Sequence, residues 1–226
     1  MPPDYELLIF DWDGTLADSI SRIVEAMRDA TLKSNMPMRD DLAIKGIIGL
    51  GLPEAIRTLY PDISESDLVS FRQRYADAYM AMDVEPSQLF EDVRLSLEHF
   101  RAQGYRMAVA TGKARRGLDR VLKAHGLQDY FDITRAADET ASKPDPLMLQ
   151  EILAHCGVVP EKALMIGDSS FDLLMARNAG MDSVAVGYGA QSVDSLRAFE
   201  PRLAIHHFSE LRAWLGARSP ESSLLE

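Results

Sequence analysis

The sequence predicts an α/β protein: a parallel sheet with helices on both faces, carrying a small all-helical insertion after its first strand. Three observations point there. From about residue 86 apolar runs of strand length alternate with segments of helical period, the pattern of a parallel sheet covered on both sides. Between the first apolar run and that point, the period is helical throughout. Finally, the conspicuous polar residues follow strands: Asp11 and Asp13 the first, Thr111 the second major one, and Asp168 the next. In such sheets ligands bind beyond the carboxyl ends of the strands.

In chain order, Leu7-Leu8-Ile9-Phe10 reads as a buried strand. Ile20, Ile23, Val24, Met27 and Thr31 then share one helical face, and Leu52, Ala55, Ile56 and Leu59 repeat it after a glycine-rich turn at Gly46 to Gly51. Leu68, Phe71, Tyr75, Ala78 and Met82 form a third stripe, with Ser64 as its N-cap. Arg106 to Ala110 reads as a strand followed by a Thr111-Gly112 turn and a helix bearing Leu118, Val121, Leu122 and His125. Phe131 to Thr134 is a short strand, and Leu149, Ile152, Leu153 and Cys156 mark the next helix. Ala163 to Ile166 is a strand ending at Gly167-Asp168, residues 170–179 a helix, Ser183 to Val186 a strand, and Leu203 to Ile205 an edge strand. The expected division is a core of residues 1–15 and 85–216, a helical cap of 16–84 and a flexible tail of 217–226.

Composition narrows the function. The 226 residues and 46% hydrophobic content suit one substantial core with a small insertion. No apolar stretch approaches the roughly 20 residues that cross a bilayer, and the N-terminus lacks a basic segment followed by a signal-type apolar one, so the expected location is cytoplasmic, without a membrane partner. A net charge of -11 without a basic block argues against nucleic acid, although a small phosphate ester can be neutralised locally. Cys156 is the single cysteine, which excludes an intrachain disulfide framework and argues against a cysteine-built metal site. Monomer and homodimer both stay open.

Asp11-Trp12-Asp13-Gly14-Thr15 carries most of the chemistry. Two carboxylates one residue apart at the exit of a buried strand are costly unless a cation or a reaction needs them. A side-chain period of two lets Asp11 and Asp13 face one pocket while Trp12 packs away. That suits one carboxylate as nucleophile and metal ligand and the other as proton carrier. Asp168, with Asp172 four residues on, completes an oxygen-rich set appropriate to Mg2+. Thr111 offers a hydroxyl, Gly112 close approach, and Lys143 a cation for a phosphoryl oxygen.

These motifs, with Thr111-Gly112-Lys113, Lys143-Pro144 and Gly167-Asp168-Ser169-Ser170-Phe171-Asp172, resemble those of the haloacid dehalogenase-like superfamily over roughly Tyr5 to Gly216. The resemblance is to its phosphatases with a helical cap after the first core strand, and among them to phosphoglycolate-phosphatase-like members. It implies a Rossmann-like core and a Mg2+-dependent phosphomonoester hydrolase acting on a small phosphorylated metabolite. Asp11 would attack phosphorus to give an aspartyl phosphate, and Asp13 would protonate the departing alcohol and then activate water. Mg2+ would be held by the Asp11 carboxylate, the Asp13 backbone carbonyl and Asp168, with Asp172 contributing, while Thr111 and Lys143 would bind the phosphoryl group. Asp13 weighs against the dehalogenase branch. The alternatives are a sugar-phosphate mutase returning the phosphoryl group to another hydroxyl, and a nonenzymatic phosphate-responsive interaction protein.

Substrate choice is less legible. A carboxylated substrate such as phosphoglycolate favours a cap cation, with Lys45 or Arg57 as candidates, and Lys113 could read a distal group. Tyr75 and Tyr79 lie four positions apart and face either an apolar leaving group or the cap interior. His206-His207 lacks the acidic or cysteine partners of a second metal site.

Overall fold

The computed structural model describes residues 4–82 and 85–216. The tail expected at 217–226 lies outside the described residues, as does part of the boundary expected near residue 84. Six parallel strands, β1 (Leu7–Phe10), β2 (Arg106–Thr111), β3 (Ile133–Ala136), β4 (Ala163–Gly167), β5 (Asp182–Val186) and β6 (Leu203–Ile205), form one sheet in the order β3-β2-β1-β4-β5-β6. Its helices are α1 (Ile20–Lys33), α2 (Asp41–Lys45), α3 (Leu52–Leu59), α4 (Glu65–Met82), α5 (Val93–Ala102), α6 (Arg115–His125), α7 (Leu147–Cys156), α8 (Ser170–Asn178), α9 (Val193–Leu196) and α10 (Phe208–Gly216).

Strand alternation distributes the core. Leu8 and Phe10 of β1 join Met107, Val109, Leu164 and Ile166 on one face, under α5, α6 and α10. Leu7 and Ile9 join Ala108, Ala110, Ala163 and Met165 on the other, under α7 and α8. All four residues of β1 are fully buried, each large side chain contributing about 1.5–3 kcal/mol. A strand buried on both faces has no polar side, which is why β1 reads as an unbroken apolar run.

Helices α1 to α4 form a separate apolar cluster that includes Ile23, Met27, Ile44, Ile56, Leu59 and Phe71. They make the inserted cap. Ser64 does cap α4: its Oγ accepts from Asp67 N at 3.1 Å. The chain leaves and re-enters the core side by side, with Asp18 N donating to Gln88 O (2.8 Å) and Phe90 N to Leu16 O (3.0 Å) around an antiparallel Ala17–Leu89 bridge.

Strand β3 begins two residues later than the sequence pattern suggests. Phe131 packs into the core, and Asp132 Oδ2 takes the Met107 N–H (2.9 Å), so the register with β2 opens at Ile133 opposite Ala108. The short α2, the whole of α5, and α9 and α10 beyond β5 add to the helices read from the sequence.

Candidate active site

Strand β1 lies at the centre, with the chain running outward to β2 and β3 on one side and to β4, β5 and β6 on the other. This order places a topological switch point at the carboxyl end of β1, where ligands of doubly wound sheets bind. Asp11 follows β1 directly and is anchored by its N–H to Ile166 O of β4 (2.9 Å). Thr111 closes β2, two residues past the register partner of Phe10, and Asp168 follows β4. Sequence segments more than 150 residues apart thus converge on the carboxyl end of the sheet.

The centre is a buried set of charges. Asp11, Asp168 and Asp172 each offer a carboxylate oxygen within 4.8 Å of the others. Lys143 lies between them, its Nζ donating to Asp11 Oδ1 at 2.7 Å and to Asp172 Oδ1 at 2.6 Å. Its side chain is fully buried, where a lysine is found almost only when paired. Asp168 accepts from Thr15 Oγ1 (3.2 Å) through Oδ1 and from Ala190 N (2.6 Å) through Oδ2. Asp172 Oδ2 accepts from both the N–H (3.1 Å) and the hydroxyl (2.6 Å) of Ser169 at the start of α8.

Electrostatics expose what this set lacks. Burial pushes the Asp11 carboxyl up to about 7, with the Lys143 ammonium pulling it down and Asp172 adding to the rise. Asp168 is raised well above the ordinary carboxylate value, first by burial and then by Asp11 and Asp172. Burial alone would depress the Lys143 ammonium, but Asp11 and Asp172 outweigh it and hold its pKa above the ordinary value. Three buried carboxylates around one ammonium leave negative charge uncompensated, and their oxygens are the donors that a hard divalent cation takes. The residues fit such an ion.

Asp13 stands apart from this trio. Both its oxygens lie near Lys113 Nζ (2.9 Å), and Ser19 Oγ donates to Oδ1 at 2.6 Å. Asp11 and Asp13 nonetheless open on one cavity, while Trp12 between them is buried in the core, as a period of two requires. Gly14 is indispensable to this turn. Its φ is +82°, and a Cβ there would lie 2.1 Å from Asp168 Oδ2. At Gly112 a Cβ would lie 2.5 Å from Leu50 O and 2.6 Å from Gly49 O, so that glycine lets the cap loop close over the end of β2.

Asp11, Asp13, Thr111, Gly112 and Lys113 line the cavity, and Lys143, Asp168 and Asp172 form the charged set beside Asp11. Lys45 and Arg57 are elsewhere. Lys45 is exposed at the end of α2, and Arg57 pairs with exposed Glu65 at 2.7 Å. His206 and His207 are exposed, their N–H groups turned to Glu210 Oε1. Sequence reasoning missed Ser19, Ser169, the Ala190 N–H and Ser142, whose Oγ accepts from Gly51 N of the cap (2.8 Å) beside Lys143. The Gly187-Tyr188-Gly189 run after β5 was the available signal for a backbone held close to Asp168.

Comparison with known proteins agrees with this geometry. The family model described as haloacid dehalogenase-like hydrolase matches residues 8–186. A protein of Dickeya dadantii named Probable phosphatase IndB is 37% identical over 209 residues, covering 91% of each chain. A phosphoglycolate phosphatase of Psychrobacter arcticus is 31% identical over 222 residues, covering 94% of this chain and 96% of its own. The crystal structure of a haloacid dehalogenase-like hydrolase from Bacteroides fragilis superposes with a TM-score of 0.85 at 31% identity, covering 92% of this chain and 99% of that one. The chain belongs to the capped haloacid dehalogenase-like hydrolases, related to phosphoglycolate-phosphatase-like proteins.

Proposed function

We propose that the protein is a Mg2+-dependent phosphomonoester hydrolase that acts on a small phosphorylated metabolite through an aspartyl phosphate on Asp11. The observation that carries this reading is the buried Asp11–Lys143–Asp172 chain beside Asp168, at the carboxyl ends of β1 and β4. Asp11 attacks phosphorus as the bond to the leaving oxygen breaks, and Asp13 gives that oxygen a proton. Asp13 then takes a proton from the water that attacks phosphorus, releasing phosphate and restoring Asp11. Lys143 holds Asp11 in position and offers positive charge to the phosphoryl oxygens, and Thr111 adds its hydroxyl from the end of β2. Ser19 and Lys113 fix the orientation of Asp13.

When bound by Asp11 and Asp168, with Asp172 adjoining, Mg2+ supplies charge neutralisation for the transferring group. Phosphoglycolate is the first substrate to test, because phosphoglycolate phosphatases are among the relatives. The assay is release of inorganic phosphate from phosphoglycolate, sugar phosphates, nucleotides and pyrophosphate with Mg2+, and its loss in Asp11→Asn. Folded, Mg2+-loaded protein that releases no phosphate from any of them overturns the reading. Rapid isomerisation of a sugar phosphate without phosphate release replaces it with phosphoryl transfer between hydroxyls.

A further inference from the structure

The cavity that opens at Asp11 and Asp13 continues between cap and core to about 570 Å3, and its character changes along the way. At the core end it is charged and polar. On the cap side its inner wall is Met27, Ile47, Ile48 and Ala55, all buried, joined by the rings of Tyr75 and Tyr79, whose centroids lie 6.0 Å apart. Among the described residues, the cap contributes no lysine, arginine or histidine to the lining, and its one charge, Asp77, is negative. The cations in the lining all come from the core, on Lys113, Arg116 and Arg120. Lys113 is held by Asp13 at 2.9 Å, with its ammonium 5.1 Å from the Tyr79 ring centroid. Arg116 is exposed, as are Gln73 and Asp77 opposite, so these residues form the rim rather than the inner wall.

We propose that this cavity selects phosphomonoesters whose alcohol is apolar, alkyl or aryl, over those whose alcohol bears a carboxylate. Met27, Ile47, Ile48 and the Tyr75–Tyr79 pair are the selecting residues. The proposal deepens the hydrolytic reading of the site and rests on it for the phosphoryl end. With the phosphoryl group seated at Asp11, the same cavity offers the remainder of the ligand the apolar wall of the cap. A carboxylate placed against Met27, Ile47 and Ile48 would lose its water there with no cation on that wall to pair it, a strongly unfavourable transfer. An alkyl chain instead gains about three- to fourfold in affinity for each methylene removed from water. The two tyrosine rings add a surface on which an aryl group can pack edge or face.

The test separates binding from turnover. Inert n-alkylphosphonates from ethyl to hexyl, and 3-phosphonopropionate as the carboxylated comparator, are titrated calorimetrically into the full-length protein with Mg2+. The expected result is affinity rising about three- to fourfold per methylene, with 3-phosphonopropionate weaker than butylphosphonate and a heat-capacity change that grows more negative with chain length. Affinity that is flat or falls with chain length, or tighter binding of 3-phosphonopropionate than of butylphosphonate, overturns the proposal. Phosphate release from the corresponding alkyl phosphates is measured in parallel. Chain-length-dependent binding without any release supports the selectivity while overturning the hydrolytic reading, so the two failures are distinct.

Discussion

The two ends of the cavity are built on opposite principles. At the core end Asp11, Asp168, Asp172 and Lys143 are all buried, so ion pairing sets position, while burial and then the neighbouring charges set the proton affinity of Asp11 and Asp168. At the cap end Met27, Ile47 and Ile48 present buried apolar surface, and among the described residues the cap lends the lining no cation. A buried charge network tolerates almost no change in identity, because removing one member strands the others. An apolar wall tolerates exchange of one hydrophobic residue for another at modest cost. In the function proposed for this site, the reaction is tied to the core and the choice of alcohol to the cap.

Breaking the charged end has the largest effects. Asp13→Asn keeps the shape of the side chain and removes its proton transfer, so kcat for phosphate release should fall about 10²- to 10⁴-fold while phosphonate binding persists. Lys143→Met should cost about 3–5 kcal/mol in urea unfolding without Mg2+, since it leaves Asp11 and Asp172 buried without their ammonium. If the loss is under 1 kcal/mol, the network is not what holds these carboxylates.

A third measurement sharpens the electrostatic side. The fold raises Asp11 from its ordinary 3.8 to about 7, so without a bound metal ion it favours the protonated form below about pH 7. Stability from this group is therefore lost as pH rises from about 4 to about 7. Mg2+ bound at these aspartates would take the ionised carboxylates and release those protons. The Mg2+-induced rise in Tm should be greater at pH 8 than at pH 5.5 by several degrees, at about 2–4 °C per kcal/mol for a chain of this size. An equal rise at both pH values would show that binding does not displace protons. The smallest effect belongs to the cap exterior: Arg57→Ala breaks an exposed pair with Glu65 and should change stability by less than about 1 kcal/mol, leaving phosphate release unaltered.

Much of the charged end was legible because local pattern and chemistry coincide there. Leu7 to Phe10 is apolar without interruption, and Asp11 and Asp13 follow it at the spacing that puts both on one side. Lys143 is different: nothing around it in sequence says that it is buried, since its partners lie 132 and 29 residues away. The hold of Ala190 N on Asp168 is announced only by the neighbouring Gly187-Tyr188-Gly189 run, which marks a close backbone approach without saying what is approached, since the donor comes from a loop beyond another strand. In the cap, helical period identified α1, α3 and α4, but which apolar residues face the core and which line a cavity depends on how the helices pack. Lys45 and Arg57 suggested themselves as cap cations by charge alone, and charge alone does not specify direction.

The paired linkers at residues 16–18 and 88–90 bear on how such a chain can diversify. Because the outgoing and returning backbones are hydrogen-bonded neighbours, the intervening helices are attached to the sheet as a tab is attached to a page, by one edge. Ala17 and Leu89 are close enough for a tight turn to join them, leaving strand order and the aspartate-bearing ends of β1 and β4 in place. A lineage can therefore exchange the tab for one of another size or lining, and meet a new alcohol, while inheriting the same phosphoryl chemistry intact.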